Sequence, residues 1–354
     1  MEMLTNTMFL KADMWTHIID FFANWLVNYG WTIVVFTICL KIVLSPLDIL
    51  QRVASSKQQR SMSAMQPEID AINQKYAGNR EKINQETAKL YKKYNVNVGG
   101  MCLSLLLPLV LTLVVFFSLY GSIRAYGNEK IYITYKQLDS AYVQAETTWT
   151  SPDFDQSLFD GDQNAYIKQQ IEKEYENYKK QNSWFWVKNV WKADTNTSQF
   201  VNFDDYAKHQ GLVDEAKEQA KARYDVITAT ILDGKKDSNG YYILIVLAVA
   251  VSFLTQFLSA KILAPKGQKL NTMNKVMMAV IPLSMIAFVL SSNVVFTLYI
   301  ITNSIISSII TTILTLIFRR KSKKGEDILI PKKHIEVVEY SRNYKKLTYF
   351  YVNA

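Results

Sequence analysis

Cysteine and histidine are scarce in this chain of 354 residues, with two of the first (Cys39, Cys102) and three of the second (His17, His209, His334). Both cysteines lie in or beside apolar runs and show neither a disulfide framework nor zinc-ligand spacing. They read as small buried hydrophobes. By the topology below His334 lies on the opposite side of the membrane from His17 and His209, which excludes a site that needs all three histidines. No Walker-type or dinucleotide-type phosphate loop is present, so an ATP-driven pump is not expected. The N-terminus lacks a basic stretch, an unbroken apolar run and a small-residue cleavage site. Glu2, Lys11, Asp13 and Asp20 punctuate it instead, and it reads as retained. Internal repeats and low-complexity tracts are also missing.

What is present is strong segregation. Hydrophobic residues make up 49% of the chain, yet mean hydropathy is only −0.01, so apolar runs alternate with polar stretches. A crossing helix needs about 20 apolar residues. Five runs are candidates: Trp31 to Leu50, Met101 to Ile123, Tyr241 to Leu263, Val276 to Leu290 and Val294 to Phe318. The fourth is short enough to require local thinning of the bilayer.

Basic residues beside span ends stay in the cytoplasm. Residues 51–98 hold nine Lys/Arg against four acids, 261–275 hold four against none, and 319–354 hold ten against four. Residues 125–240 hold fourteen against nineteen. The sequence therefore predicts an N-terminus outside, a C-terminus in the cytoplasm and a location in the bacterial plasma membrane. The net charge of +9 concentrates beside the spans, where anionic lipid and topology account for it, so sequence-specific nucleic-acid binding is not expected.

The fold class expected is all-α, a polytopic membrane protein with a five-helix core and a cytoplasmic helical hairpin. Its parts are an extracytoplasmic N-terminus with an amphipathic interfacial helix (1–28), a first span (29–50), the hairpin (51–98), a second span (99–125), an extracytoplasmic segment (126–240), three further spans (241–318) and a basic cytoplasmic tail (319–354). Trp15, Ile18, Ile19, Phe22, Trp25 and Leu26 give the interfacial helix its apolar face. The hairpin should turn near Tyr76 to Asn79, with Pro67 and Gly78 as punctuation. Within 126–240, helices are expected around Asn164 to Gln181 and Asp204 to Leu232. The aromatic cluster Trp184, Phe185, Trp186 and Trp191 between them should sit at headgroup depth.

Lys41 is the most informative residue, because a lone cation ten residues into a span costs roughly 2.5 to 3.5 kcal/mol on insertion scales. Such a cost points to a hydrated cavity. Thr37 and Ser45 flank it at four-residue spacing and Asp48 follows, forming a polar stripe. The last span carries a denser one that includes Thr297, Tyr299, Thr302, Asn303 and Ser304, and the third span adds Ser252, Thr255 and Gln256. The plain alternative for the Ser and Thr residues is that they knit helices together.

The runs KIVLSPL at 41–47, MQPEIDAINQKYAGNREKINQETAKLYKKYNVNVGGMC at 65–102, YYILIVLAVAVSFLTQ at 241–256 and TLYIITNSIISS at 297–308 resemble the YidC family of membrane protein insertases, which includes the Oxa and Alb relatives. The resemblance implies a five-helix core around a hydrophilic groove, open to cytoplasm and lipid and closed to the outside, with a cation within it. Lys41 stands at the position of that cation, usually arginine, and lacks arginine's planar fork. Thr37, Gln256 and Tyr299 match groove positions, and Thr302 and Asn303 continue that side of the last span. Ile300 replaces a frequent second aromatic, Val98 and Ser104 replace prolines, and Met101 replaces a glycine. SWFWVKNVWKAD at 183–194 resembles the family's aromatic stretch, whereas 127–182 and 195–240 read as insertions of unknown role in a Gram-positive type of protein. The resemblance further implies nascent membrane proteins as substrates, membrane lipids, the Sec translocon and the ribosome as partners, no cofactor, and no enzymatic activity. The alternatives are a small-solute transporter or channel, or a surface-binding protein anchored by its spans.

Overall fold

The computed structural model describes residues 2–94, 98–263, 280, 283 and 285–323. Among them the regular structure is helix, with one isolated antiparallel bridge between Trp184 and Val187. Seven of the fifteen residues of the expected fourth span, 276–290, lie outside the described residues, as do residues 264–275 of the basic link and 324–354 of the tail. The chain divides into two compact units, residues 1–43 with 114–308, and residues 44–113 with 309–354.

Helix α1 runs Glu2–Leu26 and α2 runs Tyr29–Lys75. Val27, in the left-handed backbone region at φ 64°, separates them. Trp15, Ile19 and Ala23 of α1 are buried in the core, and the Trp15 indole donates to Ser118 Oγ at 3.0 Å. α2 continues beyond the expected end of the first span at residue 50 and contains both Pro46 and Pro67. Each proline removes one backbone donor, but neither ends the helix.

The second unit contains the hairpin. α2 ends at Lys75, Gly78 adopts φ 88°, and α3 spans Arg80–Lys93, so the turn falls within the expected Tyr76 to Asn79, at Gly78 and not at Pro67. Asn79 Oδ1 accepts from Lys82 N at 3.1 Å, satisfying one of the donors left over at a helix start. Met65 and Leu90 are the buried apolar residues here. Glu68 accepts from Tyr94 Oη and, at 2.9 Å, from Lys93 Nζ. These bonds hold Glu68 below its ordinary carboxylate pKa and raise that of Tyr94.

Helix α4, Val98–Trp149, also departs from expectation, passing the predicted span end near residue 125 without a break. The cause is legible afterwards. Tyr135, Leu138, Ala145 and Trp149 recur at helical spacing and are buried, giving the extension its own apolar face. Against it pack α5 (Gln163–Asn182), α6 (Phe203–Gln210) and α7 (Asp214–Leu232). Ile167, Ile171, Phe203, Tyr206, Ala220 and Ile227 complete this second hydrophobic core. Asp139 of α4 accepts from Arg223 Nε at 2.7 Å and Nη2 at 3.4 Å, and from Tyr206 Oη at 3.4 Å. The helix expected over Asp204 to Leu232 is two helices, because Gly211 at φ 67° caps α6. α5, α6, α7 and the α4 extension thus share a core of their own, whereas Tyr126, Val187, Val190 and Trp191 join the core of the membrane helices.

The remaining elements are α8 (Ile243–Leu263) and α9 (Val294–Lys323). Tyr29–Leu50, Val110–Trp149 and Val294–Ile317 are long and apolar enough to cross a membrane, and Ile243–Leu258 forms a shorter apolar stretch. Ile33, Phe36, Leu119, Ile123, Leu244, Ala248 and Val294 to Ile301 bury one another, so α2, α4, α8 and α9 share a core. Outward faces remain apolar, as lipid contact requires. Cys39, expected to be buried, is exposed on such a face, where a thiol behaves as one more small hydrophobe.

Candidate functional site

Within the first unit the buried stripes of α2, α8 and α9 each come to an end. On α2 the buried residues Tyr29, Ile33, Phe36, Thr37 and Lys41 follow helical spacing, and Lys41, 8% exposed, is the last of them in the first unit. On α8 the buried stripe Leu244, Ala248, Ser252 ends at Ser252, and Gln256 one turn on is half-buried. On α9 every residue from Val294 to Ile301 is buried, after which Thr302, Asn303 and Ser304 are half-buried and Ile305 is exposed. Thr37, Lys41 and Tyr299 therefore belong to the margin of the packed zone, and Gln256, Thr302 and Asn303 to the looser region just beyond it. All six lie in the first unit.

Three threonines in these spans bond within their own helices. Thr37 Oγ1 donates to Ile33 O at 2.6 Å, Thr297 Oγ1 to Asn293 O at 3.2 Å and Thr255 Oγ1 to Ser252 O at 3.1 Å. Such back-bonding satisfies a hydroxyl in apolar surroundings and leaves an acceptor lone pair on each oxygen. The Tyr299 ring packs against Phe296 at a centroid distance of 5.6 Å.

At the opposite end of the packed zone a strap, residues 183–197, closes over the helix starts. Asp194 is buried and caps α8. Its Oδ1 accepts from Tyr241 N at 2.8 Å, its Oδ2 from Leu244 N at 2.6 Å, and its carbonyl from Tyr242 N at 3.0 Å. A carboxylate there satisfies leftover donors and meets the positive end of the helix dipole. For α9, Val294 N donates to Lys192 O at 3.0 Å and Val295 N to Val190 O at 3.1 Å, while Phe296 N donates to Asn293 Oδ1 at 3.0 Å. For α2, Asn28 Oδ1 accepts from Trp31 N at 3.2 Å, and its Nδ2 donates to Lys180 O at 2.9 Å and Ser183 O at 2.8 Å.

Buried Asn239 holds the strap in shape, accepting from Asn189 N at 2.8 Å and donating to the carbonyls of Asn189 at 2.9 Å and Ala193 at 2.8 Å. A Cβ on Gly240 would strike the Asp194 carboxylate, one on Gly30 the Trp184 ring and one on Gly127 the Asn293 amide, so all three close approaches depend on glycine. The aromatic cluster expected to act as one group is divided. Trp191 is buried between Tyr29 and Tyr126, with its indole donating to Asn182 Oδ1 at 2.9 Å, whereas Phe185 is exposed. Burial of Lys192 within the strap lowers its pKa.

Sequence reasoning named the six span residues as candidates and did not name the capping residues Asp194, Asn239, Asn28 and Asn293. Asn28 and Asn293 directly precede apolar helical runs, the signature of a cap, and could have been found. Asp194 lies 49 residues before the first residue of its helix, with no local signal.

Long apolar helices sharing one core, with polar residues at its margin, define a polytopic helical membrane protein. The family model described as 60Kd inner membrane protein matches residues 21–323, and the chain belongs to that family. Proteins named Membrane protein insertase YidC are similar over part of it: one from Nitratidesulfovibrio vulgaris is 38% identical over 106 residues, covering 30% of this chain and 18% of the relative. One from Fusobacterium nucleatum is 37% identical over 98 residues (28% and 44%), and one from Caldanaerobacter subterraneus 34% over 109 residues (31% and 49%). The alignments span less than half of these relatives' lengths. The protein is a multi-pass protein of the bacterial plasma membrane.

Proposed function

We propose that the protein is a membrane protein insertase that helps nascent membrane proteins enter the bilayer, and that Lys41, Thr37, Gln256, Tyr299, Thr302 and Asn303 line the groove that receives them. The observation that carries this reading is the one-sided end of packing: α2, α8 and α9 begin under the strap, and among the described residues of the first unit their buried stripes end at Lys41, Ser252 and Ile301. That arrangement supports a cavity closed at one end and accessible from the other. It favours an insertase over a solute channel, which requires access at both ends. A cation at the margin, in a medium of lower dielectric than water, attracts acidic residues of a short translocating flank more strongly than it would in solution. The apolar part of the client then leaves for lipid, driven by the hydrophobic effect.

In this reading the strap end faces outward and the hairpin and C-terminal tail face the cytoplasm. Nine basic residues against four acids in 51–98 support that orientation. The ribosome and the Sec translocon are partners to be tested on the cytoplasmic side, and lipid thinning belongs to the segment 276–290. The chemistry uses no cofactor and no bond-making step.

The test is insertion of short-tailed client proteins in insertase-depleted cells expressing the full chain at matched levels. Wild type and Lys41→Arg should restore insertion. Lys41→Ala and Lys41→Glu should reduce its rate at least about tenfold, equivalent to about 1.4 kcal/mol. Failure of the wild type with every client would overturn the function. Full activity in all four would retain the function and remove Lys41 from it.

A further inference from the structure

Six described non-glycine residues have positive φ, and they are of two kinds. Asp160, Asp214 and Asp233 belong to turns and helix ends, where aspartate visits the left-handed region readily. Val27 (φ 64°), Phe185 (φ 49°) and Tyr242 (φ 64°) are β-branched or aromatic, residue types for which that conformation is strained. All three are exposed, Phe185 at 72%.

Their positions are related. Val27 separates α1 from α2, Tyr242 immediately precedes α8, and Phe185 sits in the strap. Phe185 occupies the first corner of a four-residue turn closed by Trp184 N to Val187 O and Val187 N to Trp184 O, both 2.9 Å. Glycine or asparagine normally fills such a corner. The ring touches Trp184 edge-on at a centroid distance of 4.5 Å and lies 6.1 Å from Trp186, yet most of its surface stays exposed. Trp31 lies 6.2 Å from it between ring centroids, and Phe21 and Trp25 on α1 are more than 70% exposed.

We infer that these residues form a collar seated in the interfacial layer of the bilayer, with Phe185 inserted among phospholipid chains close to the headgroups. The occupant follows from continuity. Trp31 opens the same helix whose exposed Ile38, Ile42 and Val43 meet lipid, and Tyr242 opens the helix exposing Val246 and Leu247. Aromatic side chains favour that depth, and contact with lipid offsets the backbone strain that water would leave uncompensated. The strap thus touches the membrane on its outer side while capping helices on its inner side. This inference depends on the membrane-crossing helices and is independent of insertase activity.

The test uses the full chain with Cys39→Ser and Cys102→Ser, carrying either Phe185→Cys or Asp160→Cys labelled with an environment-sensitive fluorophore, in phosphatidylcholine and phosphatidylglycerol vesicles. The label at 185 should emit to the blue of that at 160, be quenched by lipids bearing a nitroxide near the glycerol, and lose access to aqueous iodide. Iodide quenching equal to that at 160 would overturn the collar. Protection from both quenchers would also overturn it, showing that a protein surface covers Phe185. Phe185→Gly separates lipid contact from internal packing. It should leave the unfolding midpoint in detergent unchanged or raised, through relief of strain. A fall in detergent as large as in vesicles would assign the ring to internal packing and overturn the inference.

Discussion

The strap and the interior faces of the membrane helices both bury polar side chains, with opposite results. In the strap, Asp194, Asn239, Asn189 and Asn182 bond across separations of 9 to 50 residues and hold different segments together. In the spans, Thr37 and Thr297 bond to carbonyls four residues back in their own helices. The first kind of bond fixes tertiary structure. The second satisfies a hydroxyl without tying its helix to a neighbour, so a face can remain available to a passing segment.

The comparison can be broken most directly at Asp194. Asp194→Ala leaves Tyr241 N and the buried Leu244 N without an acceptor and should lower unfolding stability by about 3 kcal/mol, since each charge-assisted bond contributes roughly 1.5 to 3. Unfolding in nanodiscs measures this, and a loss below about 1 kcal/mol would place the strap's strength elsewhere. Next in size is Asp139→Ala, which strands Arg223 beside the α4 extension in a site only partly shielded from water. It should cost about 2 kcal/mol and loosen α7 before the membrane helices, as hydrogen exchange would record. Thr37→Val sharpens the contrast from the other side. Its stability should change by less than about 0.6 kcal/mol, while client insertion declines.

The smallest effect belongs to the hairpin. The folded pKa of Glu68 is lowered, so its bonds to Tyr94 and Lys93 contribute fully above the unfolded value of 4.5 and are lost as pH falls through the lower folded value. Tyr94 is shifted upward, so its share is present below 10.0 and is lost as pH rises through the folded value. The latch should therefore be complete between those limits. Protection from exchange, relative to the intrinsic rate at each pH, should fall at the C-terminal end of α3 at acid pH in wild type and lose that pH dependence in Glu68→Gln. The effect should be modest, because these groups are solvent-screened.

Local signals were legible in the sequence, and distant ones were not. α5 lies within one residue of its predicted ends, because an aspartate cap precedes it and its apolar spacing is regular. Gly78 and Asn79 marked the hairpin turn for the same reason. The α4 extension was missed because the loss of continuous apolar character after residue 125 reads as the end of a span, whereas a helix needs only one apolar face once it leaves lipid. Lys41 stood out because its charge conflicts with its surroundings. Cys39 was misplaced because apolar character in a membrane does not distinguish core from lipid. Asp194 was invisible because its role depends on a helix that begins 49 residues later.

That separation also orders the protein's own birth. Asp194 and the carbonyls of Val190 and Lys192 leave the ribosome before α8, and a hundred residues before Val294. At about 5 to 20 residues per second, the acceptors for the last helix exist for roughly 5 to 20 s before their donors are made. Each late helix therefore arrives at a cap already synthesised, and its final position is chosen by a surface that waits for it.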